Sequence, residues 1–395
     1  MMAHLTSSIE FQMSLLLFVS LAGYILAMRI NQSAVIGEIL VGLIIGPSFL
    51  GLITYTDFVQ SVAHLGAIIL LFVVGLEFKL KDIFNLRYLW IALVGVIVPW
   101  IGGYLITRVF GYSFENAVFT GTALTATSIA ITANVLKEMG KLQTDAAKAI
   151  IGAAVIDDVL SLLALSFSKQ LVVGSISVLA VLAPLAKAVL FLVVAIYFGN
   201  NHLSRFVEKL DKTSISQKFP EFVFIFVMMI AFLYAVLAEM LGLSSIVGAF
   251  VAGISLEGVV IRHGKDYKHG AEYLHIIFAS IFFVSLGILV DTHVLTLKVI
   301  WFLLALTGVA ILTKVIGCFL PARAMGMSFK DSAIVGFGMS PRGEVAMIVG
   351  LIGLNQNLIN QEIYAAIIFM SLITTIVTPI VLRQWFYPAR LLPLK

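Results

Sequence analysis

Thirteen apolar segments, each of membrane-spanning length, follow one another along the chain with little between them. They centre on 10–28, 34–51, 60–77, 88–109, 115–136, 147–169, 175–199, 219–240, 243–260, 271–290, 296–320, 330–352 and 362–386. Crossing a bilayer takes about 17–25 predominantly apolar residues. A backbone facing lipid must satisfy its own hydrogen bonds, so helices are the only candidate spans, and no alternating strand pattern is present. Of 395 residues, 61% are hydrophobic and 12% charged, with mean hydropathy +1.09. No soluble domain of this size sustains that balance. The expected fold class is therefore an all-α polytopic membrane protein of about 13 transmembrane helices.

The basic residues set the orientation. Nineteen lysines and arginines fall in one set of loops, from Arg29 and Lys79 through Lys137, Lys141, Arg205, Lys212, Arg262, Arg323 and Arg383 to Lys395. The opposite set holds Arg108, Lys169 and Lys298. Such a bias marks the cytoplasmic side. It places the C-terminus in the cytoplasm and, with an odd number of spans, the N-terminus outside. The basic pI of about 9.0 then reports topology and implies no nucleic-acid partner. The first ten residues lack the basic n-region of a cleaved signal. A lone cysteine, Cys318, provides neither a disulfide nor a metal cluster.

Charges inside the apolar segments are few. Asp157 and Asp158 stand side by side near the middle of the sixth. Translocon scales put one charge at mid-bilayer at about 2.5 to 3.5 kcal/mol, so such groups are kept when they are paired, hydrated or at work on an ion. Neighbours on a helix point about 100° apart, which lets one carboxylate face packing and the other a cavity. Ser161 follows on the same side. Lys314, deep in the eleventh segment, is the natural counter-ion. A purely structural ion-pair network is the plainer alternative, yet intramembrane ionisable groups are functional by default.

Two windows are unlike ordinary spans. One is rich in hydroxyl and small residues (Thr122, Thr125, Thr127, Ser128, Thr132, Asn134). The other, Gly336 to Glu344, carries three glycines and Pro341. Arg342 and Glu344 read as neutralisers of half-helix ends and freed backbone groups there. Thr127 and Ser128 are equally able to bond their own helix. Lys187 and Glu239 read as snorkelling or packing residues, and Glu38 and Glu77 as surface partners of nearby basic groups. His64, His202, His263, His269, His275 and His293 read as mostly in or near loops.

The chain also repeats itself. Ser33 to Gly42 matches Ser244 to Gly253 at an offset of 211, and the same offset lays Phe72-Val73 on Phe283-Val284 and Thr127–Thr132 on Gly338–Gly343. Matching helices lie seven spans apart, so the repeat is inverted. Inverted repeats with interrupted helices at matching places are a signature of secondary transporters whose site lies near the midplane.

Four stretches carry a resemblance: Ile36 to Pro47, Thr127 to Ala133, Gly152 to Val159 with its Asp-Asp pair, and Pro341-Arg-Gly-Glu-Val345. Through them the chain resembles the NapA-type sodium/proton antiporters of the second monovalent cation:proton antiporter family, over almost its whole length. The resemblance implies two inverted six-helix repeats with crossed discontinuous helices five and twelve. Residues 1–395 would form a single transmembrane antiporter unit. Within it, 88–170 and 296–386 form a core, ion-transport bundle, 10–77 and 219–290 a dimerisation bundle, and 175–199 a linker helix. Asp158 is the implied ion and proton carrier, Asp157 the partner of Lys314, and Thr127 and Ser128 the lining of the unwound crossing. Related potassium exchangers carry Gln-Asp, and electroneutral relatives Asn-Asp, where this chain has Asp157-Asp158.

The expected function is secondary active Na⁺ (or Li⁺)/H⁺ antiport by alternating access, electrogenic at two protons per Na⁺, serving pH homeostasis. Na⁺ is hard and seeks oxygen, which Asp158, Asp157, Thr127 and Ser128 offer. On Na⁺ binding, Asp157 turns from Lys314, which releases its proton. The partners are Na⁺ or Li⁺, protons, the lipid bilayer and a second copy of the chain in a homodimer; the setting is a prokaryotic inner membrane. No cofactor and no enzymatic activity are expected, since no nucleophile with a base, metal cluster or phosphate loop is present. A K⁺/H⁺ or Na⁺/H⁺-K⁺ exchanger on the same fold is the nearest alternative. A Na⁺-coupled organic-anion symporter is a remote one.

Overall fold

The computed structural model describes residues 8–83, 85–174, 177–261, 266–294 and 296–388. Among these residues all regular structure is helical. The principal helices are α1 (Ile9–Arg29), α2 (Ala34–Ile45), α3 (Asp57–Gly75), α4 (Tyr88–Val109), α5 (Phe114–Ala123), α6 (Ile129–Glu138), α7 (Asp145–Val173), α8 (Val178–Phe198), α9 (Phe222–Met240), α10 (Ser245–Leu256), α11 (Tyr267–Ile288), α12 (Leu297–Ala324), α13 (Phe329–Gly338), α14 (Glu344–Asn355) and α15 (Gln361–Val381). Hydroxyl or amide N-caps start many of them. Ser8, Thr56, Ser113, Thr144, Ser177, Ser244, Thr296, Ser328 and Asn360 each accept a backbone N–H of the first turn, satisfying donors that a helix end leaves open.

Nine helices among the described residues are long and apolar enough to cross a membrane. The remaining apolar segments take other forms. α2 and α10 are single short helices. The segments 115–136 and 330–352 are each broken in two, α5/α6 around 124–128 and α13/α14 around 339–343. The glycine- and hydroxyl-rich composition of these windows is what lets the backbone leave the helix. The 175–199 segment extends further than its apolar run: α8 continues through a π-turn, Gly199–Leu203, into the short helix Ser204–Asp211. A Cβ at Gly199 would collide with the Ser255 side chain of α10, so the bulge sits where that helix presses in.

Packing divides the helices into two sets. α1, α2, α3, α9, α10 and α11 pack on one another; α4, α5, α7, α12, α13, α14 and α15 form the other set, and α6 packs on both, against α3 and α2 as well as α7 and α15. α8 touches α7 on one side and α9 and α10 on the other. Lipid tails are as apolar as leucine, so helices associate in a membrane through close contact rather than through exclusion of water. Two crossings show this. A Cβ on Gly42 would run into the Val284 carbonyl of α11, and one on Gly253 into the Phe72 carbonyl of α3.

Three side chains depart from their sequence reading. Glu38 is buried at 2% exposure in α2, under Gly23 of α1, rather than paired at the surface. The reason is the glycine opposite, which leaves room for a carboxylate between the helices. His64 and His275 lie inside α3 and α11, bonded to Ser245 and Asn134, because polar neighbours on facing helices take up their ring nitrogens. His263 lies outside the described residues.

Candidate functional site

The two breaks meet each other. The Ser128 N–H donates to the Pro341 carbonyl at 2.9 Å. Thr127 Oγ1 donates to the Met339 carbonyl at 3.3 Å, and Thr132 Oγ1 to the Gly338 carbonyl at 2.6 Å. Backbone groups released by each break are thereby satisfied by the other, which irregular backbone at membrane depth requires. Ser128 is the N-cap of α6 but its hydroxyl makes no cap bond. It points at Gly343, where a Cβ would lie 2.6 Å from Ser128 Oγ, so only glycine lets the strands approach this closely.

Arg342 is fully buried and spans the crossing. Its Nη1 donates to the Ala126 carbonyl at 2.9 Å, while α15 holds its backbone: Arg342 N–H donates to Thr374 Oγ1 at 3.1 Å, and Thr375 Oγ1 donates to the Arg342 carbonyl at 2.9 Å. Pro341 supplies the carbonyl that Ser128 uses. Glu344 opens α14 with its backbone; its side chain lies outside the described residues.

Beside the crossing, α7 and α12 deliver an ion pair. Lys314 Nζ donates to Asp157 Oδ1 at 2.7 Å and to the Thr125 carbonyl at 2.8 Å. Both side chains are sealed, at 0% and 1% exposure. Gly95 of α4 makes this possible, since a Cβ there would press on Cys318 and approach the lysine stem. One lysine proton therefore anchors α12 to α7, and another anchors it to the free carbonyl at the break.

Asp158 points elsewhere. It lines a small cavity of about 20 Å³ with Thr127, Ser128 and Ser244. It also lines a larger one of about 360 Å³ with His64, Ser161, Glu239, Gly242 and Ile352. The far end of the larger cavity lies at the end of α9 remote from the basic segment Arg205–Lys218. Among the described residues, Asp158 Oδ2, Asp157 Oδ2 and the Ser161 hydroxyl have no hydrogen-bond partner. Three oxygen donors thus sit unsatisfied at or beside one cavity, a set suited to a small hard cation or a proton.

The structure brings together Asp157, Asp158, Thr127, Ser128, Lys314, Pro341 and Arg342. Sequence reasoning missed several supports. Thr374 and Thr375 hold Arg342, Gly95 and Gly343 clear space, and Ser244 faces Asp158 from the other helix set. The hydroxyl run Thr374-Thr375 within an apolar segment was a readable signal; the glycine roles depend on which neighbour lies opposite.

A polytopic helical protein with two interrupted helices crossing beside buried carboxylates belongs, as a class, with the secondary transporters that build ion sites from broken helices. A sequence profile described as "Sodium/hydrogen exchanger, transmembrane" matches residues 15–386. The chain belongs to that family. It is 36% identical over 378 residues to the Na(+)/H(+)-K(+) antiporter GerN of Bacillus cereus, covering 95% of this chain and 96% of that protein. A Na(+)/H(+) antiporter of Enterococcus hirae is 33% identical, with 94% and 96% covered. The structure of the sodium proton antiporter MjNhaP1 from Methanocaldococcus jannaschii at pH 8 superposes with a TM-score of 0.69 at 20% identity, covering 95% of this chain and 96% of that one. That likeness establishes a shared fold.

Proposed function

We propose that this protein exchanges Na⁺ or Li⁺ for protons across a prokaryotic cell membrane, with Asp158 as the carrier. The observation that carries the reading is the placement of Asp158. It lies at mid-helix on the border of two cavities, with a carboxylate oxygen that has no hydrogen-bond partner among the described residues, next to a sealed Asp157–Lys314 pair. One carboxylate with access to water can hold a proton or a cation but not both, and that competition couples the two fluxes. Thr127, Ser128 and Asp157 complete the oxygen set. The family membership and the names of its antiporter relatives support the same activity.

In this reading the chain has thirteen spans in two inverted six-helix repeats joined by α8. Gly42 meets Val284 and Gly253 meets Phe72 in equivalent crossings, which supports the repeat. The core set (88–170 and 296–386) moves against the set 10–77 and 219–290, which also forms a homodimer. The basic loops face the cytoplasm. Asp157 leaves Lys314 when Na⁺ binds, Lys314 gives up its proton, and two protons move per Na⁺. The net charge couples transport to voltage at about 2.3 kcal/mol per 100 mV. No cofactor is needed and no bond is made or broken in the cargo. The relative GerN is a Na(+)/H(+)-K(+) antiporter, so potassium is the second candidate cargo; apparent affinities for Na⁺, Li⁺ and K⁺ decide between them.

The test is Asp158→Asn in proteoliposomes. Na⁺-driven proton movement should vanish while the protein remains folded by thermal unfolding. Retained exchange would end the carrier role.

A further inference from the structure

On the face opposite the 360 Å³ cavity, α2 begins at Ser33, and its N-terminus is capped unusually. Ser8, Thr56, Ser113, Thr144, Ser244 and Thr296 each accept an N–H of their own helix; Ser33 does not. Its hydroxyl instead donates to Glu138 Oε2 at 2.7 Å, and the Ala34 N–H donates to the same oxygen at 3.3 Å. Glu138 ends α6, the half-helix that starts at Ser128 beside Asp158 and packs between the two sets. Its second oxygen accepts from Asn134 Nδ2 at 3.0 Å, and Asn134 Oδ1 lies 3.2 Å from His275 Nε2 of α11. Lys137 of α6 approaches Glu272 of α11 at 3.6 Å, and Arg383 donates to Asn31 at 3.3 Å. A row of polar bonds therefore closes the seam between the two sets on the lysine-rich face. Glu138 is exposed there, lining a cavity of about 510 Å³ with Lys141 and Arg383.

The helix that matches α2 by the 211-residue offset is α10. Its N-cap, Ser244, bonds its own helix and borders the cavity that reaches Asp158. Two equivalent helix starts thus stand in different surroundings. One is capped by Glu138 of α6 on the lysine-rich face, the other stands beside Asp158 where the cavity reaches it.

We propose that Glu138 is a positioning residue of the exchange cycle. By capping α2 from α6 it holds the lysine-rich face shut while Asp158 faces the opposite cavity, and this cap breaks each time the site turns. The proposal rests on the alternating-exchange reading above. Its physical basis is that a carboxylate accepting from a hydroxyl and a helix N-terminal N–H makes charge-assisted bonds, stronger than the neutral cap it replaces. α6 also carries Ser128 as its own N-cap, so a force on Glu138 acts on the site through one rigid helix. An exposed position lets water take over the bonds when they break, as a cyclic latch needs.

The test uses Glu138→Gln and Ser33→Ala in the full-length protein, reconstituted with known sidedness. Na⁺ half-saturation is measured separately from each face. Weakening the latch should shift the balance between the two states by roughly three- to tenfold, the range of one cap or charge-assisted bond. Half-saturation should then rise from the cavity face and fall from the lysine-rich face. A cysteine placed at Ala130, which is 2% exposed and faces α10 and α11, should react faster with an impermeant maleimide from the lysine-rich face, by the same factor. The double variant should add little to Glu138→Gln alone. Exchange with both half-saturations and labelling unchanged would overturn the latch, as would equal weakening from both faces, which marks general damage. Absence of exchange in the unsubstituted protein would instead overturn the antiport reading.

Discussion

The Asp157–Lys314 pair gives the sharpest energetic prediction. Nζ sits 2.7 Å from Oδ1 with side chains at 0% and 1% exposure, so neither charge is relieved by solvent. Removing one partner of such a pair costs about 3–5 kcal/mol, because the other is left charged in a dry site. Asp157→Asn leaves Lys314 with neutral acceptors, the Thr125 carbonyl among them, and should cost about that much. Lys314→Met strands the carboxylate near Arg342, whose guanidinium moderates the loss, and should fall at the lower end. Replacing both charges at once removes the desolvation penalty with the attraction, so the double variant should lie within about 2 kcal/mol of the starting protein. The assay is reversible denaturation in mixed micelles, run as a double-mutant cycle. Single losses below about 1 kcal/mol, the scale of an exposed pair, or costs that simply add, would refute the sealed pair.

Gly343→Ala should reduce transport strongly, because its Cβ would lie 2.6 Å from Ser128 Oγ and must push the broken strands apart; Ser128→Gly in the same chain should restore part of the rate. Lys314→Gln should abolish the charge moved per cycle or stop turnover, as read by voltage-sensitive dye in proteoliposomes; undiminished charge movement would remove Lys314 from the proton count. In the loop before α12, the Asp291 carboxyl is held below its ordinary value of 3.8, first by the His293 N–H and then by the His293 ring. A lowered value contributes stability that is present above the ordinary value and fades as pH falls through the lowered one. Both groups are largely exposed, so solvent screens the effect. Asp291→Asn should leave the unfolding midpoint at neutral pH unchanged, and a clear drop would show that loop to be structural.

Composition and apolar spacing were enough to establish a helical membrane protein, because lipid leaves the backbone no other way to satisfy itself. The Asp157-Asp158 pair and Lys314 stood out for the same reason: a charge in an apolar run is costly, so its presence is informative whatever surrounds it. The two windows destined to break were visible from their glycines, proline and hydroxyls. Tertiary packing decided the rest. Which aspartate is sealed by lysine and which borders a cavity depends on where α12 lies against α7. Glu38 looked like a surface residue until Gly23 was found opposite, and Glu138 was unremarkable until α2 came to rest with its N-terminus on it. A side chain's chemistry is written in its own residue type, but whether it is paired, buried or open is a property of neighbours that lie far away in the chain.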